Sequence, residues 1–250
     1  MNPPYLKTAG DLDILIDDAD LERASACMEG IGLQRLDLGP AWLQKMESHH
    51  VIFLPAASIP DGCIVELHFR LILQDAPISG QDFLKRSRAW SGNNGLQVRV
   101  LHPVDEALFL AIHSTRHSFS RLSWLLDALT VFRTLSDEER RQLVATAKES
   151  GQLVKLALAN QAAKEFFKEP LIPELSKVAP WLPTLAGVQR EAEWAAKPVQ
   201  DSVPWRELWY RRLELRWYQC RIAGSPRNLL NVALLLFFLP LLRRARLLFR

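Results

Sequence analysis

The hydrophobic pattern of the chain changes near Pro103, and this change limits the folds that the chain can adopt. Before Pro103, short apolar runs separated by turn residues are typical of β-strands. After it, segment follows segment with apolar residues at helical spacing. The order predicts an α+β protein, with a mixed sheet and helices in the N-terminal half and an all-helical C-terminal half. We expect an α/β domain over residues 1–102, a helical domain over 103–225 and an apolar and basic C-terminal helix over 226–250.

The N-terminal half contains predicted strands over residues 10–16, 33–38, 51–54, 63–71 and 96–101. A helix is predicted after the first strand, where Asp17 and Asp18 can cap it, and it ends near Gly30 and Gly32. The apolar positions that we expect to face the core are Leu21, Ala24, Cys27, Met28 and Ile31.

The C-terminal half contains predicted helices over residues 105–113, 121–132, 153–168, 188–196 and 205–221. A further helix is predicted to begin at Ser136, because Ser136-Asp137-Glu138-Glu139 is a capping-box pattern. No internal repeat or low-complexity segment interrupts this series.

Composition indicates a folded protein that stays inside the cell. With 250 residues and 48% hydrophobic content, the chain can bury a substantial core. Cys27, Cys63 and Cys220 are widely spaced and include no Cys-x-x-Cys, which argues against a disulfide framework or a zinc ribbon. The N-terminus lacks a basic segment followed by an apolar stretch, so we expect no secretory signal and a cytoplasmic location.

Two aspartates, Asp11 and Asp13, lie on the first predicted strand. Residues two apart in a strand project from one face, so both carboxylates point the same way while Leu12, Ile14 and Ile16 face the core. Such a pair is either a solvated strand end or a site for a hard cation such as Mg²⁺ or Mn²⁺. A third acid, Glu66, lies in the apolar run of residues 63–69, where an unpartnered charge would be costly.

Three stretches resemble the uncharacterised nucleotidyltransferase family of the DNA polymerase β-like superfamily. They are Gly-Asp-Leu-Asp-Ile-Leu-Ile at 10–16, Val-Glu-Leu-His-Phe-Arg-Leu at 65–71, and the helical block from His113 through His117 to residues 121–127. Their order and approximate separation also match, over roughly residues 5–135.

The resemblance implies a transferase that moves a nucleoside monophosphate from an NTP to a hydroxyl of a small-molecule or protein acceptor. It implies that Asp11, Asp13 and Glu66 bind two Mg²⁺ ions and carry the catalysis. Gly10 belongs to the first motif, and Lys7 stands where the family tends to have a basic residue, so both are candidates for contacts with the nucleotide or substrate. An ordinary solvated lysine is the alternative for Lys7.

The chain departs from the family pattern upstream of the acidic pair. Family members usually carry a helix and a glycine-containing turn there, which holds the triphosphate, whereas only ten residues precede Asp11. We therefore expect an N-terminally shortened domain. Either the start codon is assigned too far downstream, or the chain is a degenerate, catalytically inactive protein that serves as a binding partner or scaffold.

Histidines supply further candidate site residues. His49 and His50 precede a predicted strand, and His68 alternates with Glu66, so these residues offer donors for a zinc or proton-transfer site. The absence of a His-Glu-x-x-His pattern favours structural hydrogen bonding instead, with His68 orienting Glu66 or the substrate.

His113 and His117 share one face of a helix. They form either a lid over the base and phosphates of the nucleotide or, as we favour, a polar seam between the helical and α/β halves. Asp127, the acid within the apolar run 124–131, is expected to pair with a nearby basic group.

The C-terminal end is strongly basic, with ten Arg and two Glu in residues 206–250. Aromatic residues and arginines alternate over 205–221, which suits a packed amphipathic helix, RNA or a membrane surface; we do not expect nucleic acid as a partner. The apolar run 229–242 is too short to span a bilayer in the ordinary way. It is either a buried or dimer-forming helix, or an interfacial helix that holds the protein at the inner face of the membrane.

Overall fold

The computed structural model describes residues 11–36, 49–56, 63–70, 80–92, 95–117, 119, 121–173, 175 and 230. In this part of the chain the protein is α+β, as predicted: a mixed sheet with helices is followed by four packed helices. The chain divides into two compact units, one of residues 1–73 and 78–87 and the other of residues 74–77 and 88–250. The domain limits expected at residues 102 and 225 stay predictions.

The first unit is built on a four-stranded sheet. Its strands are β1 (Asp11–Leu15), β2 (Leu33–Arg35), β3 (His50–Pro55) and β4 (Ile64–His68), in the order β1-β4-β3-β2. β1 runs parallel to β4, whereas β3 is antiparallel to both β4 and β2. β4 thus lies between β1 and β3, and its hydrogen bonds to both strands fix the positions of its side chains relative to theirs.

The helix α1 (Leu21–Gly30) covers one face of this sheet, after a short 3-10 helix over Asp18–Asp20. Asp17 caps that 3-10 helix by accepting a hydrogen bond from the amide of Ala19, and Gly32 has a positive φ of 89° just after α1 ends. The predicted helix and its two ends are therefore confirmed.

The core of the first unit lies between α1 and the sheet. It consists of Leu21, Val51, Phe53, Val65, Leu67 and Phe69, with Ile14, Ile16, Ala24, Met28 and Leu33 packed against it. The predicted core positions Ile14 and Ile16 are confirmed, but Leu12 is 50% exposed at the start of β1. The predictions for Cys27 and Ile31 were wrong, because Leu21, Ala24, Ser25 and Met28 form the inward stripe and leave these two exposed.

A short helix that the sequence pattern did not predict, α2 (Gly80–Arg86), completes the described part of the first unit. It begins at Gly80, close to the carbonyl oxygens of Phe69 and Ile16. Gln81 donates a hydrogen bond of 2.7 Å to Asp17. The amide of Ala19 lowers the pKa of the Asp17 carboxyl most, and the bond from Gln81 lowers it further. α2 is therefore tied to the end of β1.

The second unit consists of a hairpin and four helices in the described residues. The hairpin pairs β5 (Arg88–Ser91) with β6 (Gln97–Val100), and the helices are α3 (Pro103–Arg116), α4 (Leu122–Thr134), α5 (Asp137–Glu149) and α6 (Leu153–Phe167). All four helices were predicted, and the predicted capping box is present between Ser136 and Glu139. β5 was not predicted.

α3 lies at the centre of the helical packing and contacts α4, α5 and α6. Its buried residues include Val104, Ala107, Leu108, Ala111 and Ile112. The helices packed against α3 also bury leucines, namely Leu125 and Leu129 of α4, Leu143 of α5 and Leu156 of α6.

Several predictions fall outside the described residues. They concern Lys7, Gly10, Cys220, the helices over 188–196 and 205–221, and nearly all of the segment 226–250, in which only residue 230 is described. Among the helices that the structure does describe, none combines the length and apolar character needed to cross a membrane.

Candidate active site

The pairing of β1 with β4 brings two of the predicted acids side by side. Asp13 and Glu66 occupy partner positions in this parallel pair, so their side chains leave the sheet on the same face. The face opposite carries Val65 and Leu67, which are buried in the core. Burial of one face thus forces both carboxylates onto the other.

His68 bridges the two carboxylates. Its Nε2 atom lies 3.1 Å from Oδ1 of Asp13 and 3.2 Å from Oε2 of Glu66. The His68 side chain is 5% exposed, that of Glu66 is 21% exposed and that of Asp13 is 50% exposed. The cluster therefore opens to solvent on the Asp13 side.

The charges of this cluster stabilise one another. The hydrogen bond from His68 lowers the pKa of Glu66, against the opposing effect of burial, and His50 adds to the lowering. For His68 burial favours the neutral ring, but hydrogen bonds and charge from Asp13 and Glu66 outweigh it and raise its pKa to about 9. At neutral pH an imidazolium therefore stands between two carboxylates and compensates their repulsion.

His49 and His50 adjoin the same cluster. His50 lies opposite His68 in the antiparallel pair of β3 and β4. Its Nδ1 atom is 3.6 Å from Oε2 of Glu66 and 3.2 Å from Nε2 of His49. The three imidazole centroids lie 4.4 to 5.1 Å apart.

Two overlapping sets of potential metal ligands result. Asp13, Glu66 and His68 form one, His49, His50 and His68 form the other, and within each set the donor atoms lie within 4.8 Å of one another. Asp11 is on the same strand face as Asp13, two residues earlier, and belongs to neither set. Of the three predicted acids, the structure therefore gathers Asp13 and Glu66.

The other predicted candidates, His113 and His117, belong to the second unit. Their rings lie 4.7 Å apart and pack on Trp124 at 4.8 and 4.9 Å, with the Arg121 guanidinium 5.3 Å above the Trp124 ring. Burial lowers the pKa of His117, and the charges of Arg116 and Arg121 lower it further. These contacts lie within the second unit, so the polar seam between the two halves and the lid both stay predictions, as does a basic partner for the partly buried Asp127.

The comparison with known proteins identifies one family. Residues 2–168, two thirds of the chain, match a family described as uncharacterised nucleotidyltransferase. The match includes both sets of potential ligands and all the helices from α1 to α6. No curated protein and no solved structure matches the chain.

Proposed function

The chain belongs to the family of uncharacterised nucleotidyltransferases, which confirms the resemblance of its motifs. On this premise we propose that it transfers a nucleoside monophosphate from an NTP to an acceptor hydroxyl. The acceptor would be a small molecule or a protein. The observation that carries the proposal is the pair of carboxylates, Asp13 and Glu66, on one face of neighbouring strands.

The two carboxylates suit a Mg²⁺ site in their chemistry, because Mg²⁺ prefers hard oxygen ligands. Their donor atoms, together with that of His68, lie within 4.8 Å of one another. Asp11, from the same strand face, would supply a further oxygen for the two ions proposed.

When bound, Mg²⁺ would lower the pKa of the attacking hydroxyl and neutralise charge on the triphosphate and the leaving pyrophosphate. The chain's own residues would position these groups. His68 holds the Glu66 carboxylate through a hydrogen bond of 3.2 Å and keeps it ionised, as a metal ligand must be. Asp13 or Glu66 would accept the hydroxyl proton.

The proposal is tested by replacing Asp13 with Asn, which removes a charge and keeps the shape. We expect Mg²⁺-dependent NTP turnover to fall by roughly 100-fold or more, because carboxylates that hold a catalytic metal act on the transition state. We also expect loss of the thermal stabilisation that Mg²⁺ and NTP together give. Turnover is measured as pyrophosphate release from mixed NTPs, with cell extract as the acceptor source.

The control is Asp18→Asn, an exposed aspartate five residues away on the 3-10 helix. This variant should keep both the turnover and the thermal shift of the wild type. Unchanged behaviour of Asp13→Asn in both assays would disprove the metal assignment. Wild-type protein that binds Mg²⁺ and NTP with no turnover for any acceptor would instead support the catalytically inactive binding protein.

A further inference from the structure

We propose that His49, His50 and His68 form a binding site for a divalent transition metal of the Zn²⁺ type, with Glu66 beside it. These residues come from β3, its N-terminal neighbour and β4, within one compact unit. The site is distinct in chemistry from a Mg²⁺ site, and the inference does not depend on the proposed nucleotidyl transfer.

The donor atoms of the three histidines lie close enough to converge on one ion, since all of them are within 4.8 Å of one another. Zn–N distances of about 2.0–2.1 Å in a tetrahedron place neighbouring donor atoms about 3.3–3.4 Å apart. The separation of 3.2 Å between His49 Nε2 and His50 Nδ1 is close to this value. Glu66 Oε2 lies beside the histidines, 3.6 Å from His50 Nδ1 and 3.2 Å from His68 Nε2.

The backbone positions these donors. His50 is held opposite His68 by the ladder of β3 and β4. The carbonyl oxygen of His49 accepts hydrogen bonds from the amides of Phe69 at 3.0 Å and Arg70 at 3.2 Å, which anchors His49 beside the end of β4. A site whose ligands are fixed by main-chain pairing needs little reorganisation to bind its ion.

The chemistry of the donors selects the metal. Three imidazoles suit Zn²⁺, Co²⁺ or Ni²⁺, with His68 releasing its proton as the metal binds, whereas Mg²⁺ prefers oxygen alone. The side chains of His50, Glu66 and His68 are 19%, 21% and 5% exposed, so the donors are mostly shielded from competing water. Glu66, 3.6 Å from His50 and 3.2 Å from His68, supplies a negative charge beside the cation.

One ligand of this site, His68, also belongs to the cluster of Asp13 and Glu66. His49 and His50 lie outside the Asp13–Glu66–His68 set, and Asp13 lies outside the three-histidine set. Single substitutions can therefore separate the two sites. Asp13→Asn should keep the transition-metal site, and His49→Ala or His50→Ala should remove it.

The experiment uses the full chain without a polyhistidine tag, stripped with a chelator and titrated with Co²⁺. Visible absorption of the bound Co²⁺ reports tetrahedral coordination. The Kd for Zn²⁺ is then measured by calorimetry, as Zn²⁺ displaces the bound Co²⁺. We expect one ion per chain, strong d–d bands, and retention of the ion in millimolar Mg²⁺. His49→Ala and His50→Ala should each weaken binding by more than about 100-fold, which exceeds the loss from an outer-shell partner.

The control is His117→Ala, which removes a histidine of the other pair, His113 and His117, and should leave the Kd unchanged. His49→Gln and His50→Gln repeat the test with less change in volume, and circular dichroism confirms that each variant is folded. Folded wild-type protein without tetrahedral Co²⁺ bands, or folded His49 and His50 variants with the wild-type Kd, would overturn the proposal. Loss of NTP turnover alone would bear only on the proposed transferase function.

Discussion

At the scale of single residues, close approach of backbone segments decides what is tolerated. A Cβ atom at Gly80 would lie 3.0 Å from the carbonyl oxygen of Phe69, next to β4, and 3.6 Å from that of Ile16. Real Cβ atoms rarely approach other atoms so closely, and a backbone oxygen in a paired strand region cannot move away easily. Glycine at this position lets α2 begin directly against the sheet.

We expect Gly80→Ala to lower the free energy of unfolding by roughly 1–3 kcal/mol, as overpacking does in other well-packed regions. The matched control is Gly30→Ala at the end of α1, where a Cβ would meet nothing within 4 Å. That change should be neutral or stabilise by up to about 1 kcal/mol, because Ala favours helix over Gly. Urea unfolding of the two variants measures the difference between their free energies of unfolding. Equal stability of both variants would contradict the close approach of Gly80 to the carbonyl oxygen of Phe69.

The sequence indicates which residues belong to the candidate site, but it does not indicate how those residues are arranged in space. Alternation in the strands indicates that Asp13, Glu66 and His68 leave the core face, because Val65 and Leu67 must be buried. Their contact depends on the register of β1 with β4, which links residues 53 positions apart. Strand alternation repeats every two residues and so carries no information about which residue lies opposite.

At the scale of elements, the accuracy of prediction follows the length and the burial pattern of each segment. Helix α6 (Leu153–Phe167) was predicted to within one residue because its apolar face repeats over four turns. β5 has four exposed residues and hence no alternation to detect, and α2 has only seven residues. Both were missed for this reason.

Helix α6 also carries a lysine where the helical pattern predicts an apolar residue. Lys155 is 2% exposed, and burial lowers its pKa from 10.5 to about 7. Between these two values the unfolded chain holds a proton that the folded chain has released. The free energy of unfolding should therefore rise with pH across this window.

The expected slope from Lys155 is at most about 1.4 kcal/mol per pH unit, the value for one proton. Lys155→Met should remove this slope, whereas Lys164→Met, which changes an exposed lysine of the same helix, should leave it in place. The measurement is the free energy of unfolding from urea titrations at pH 7, 8 and 9. A wild-type slope that persists in Lys155→Met would show that another group causes it.

At the scale of the whole molecule, the potential metal sites are confined to one unit. Among the described residues, both sets of three potential metal ligands lie in the first unit. Opening of β3 away from β4 separates His50 from Glu66 and His68, which lie on the other strand. Local opening of α6 separates none of these donors, because it contains none of them. A bound transition metal should therefore stabilise the two regions unequally.

We expect Zn²⁺ at about 100 times its Kd to slow amide exchange in the paired segment of Val51 and Leu67 by roughly 100-fold, equivalent to about 2.7 kcal/mol of stabilisation. Amides of α6 that exchange by local opening, such as those of Leu156 and Ala159, should keep their rates. Hydrogen exchange with mass spectrometry, with and without Zn²⁺, measures both segments in one sample. The His50→Ala variant should show no protection in either segment, since its donor set is broken. Protection of α6 equal to that of β3 and β4, or protection that survives in His50→Ala, would place the ion elsewhere than on these three histidines.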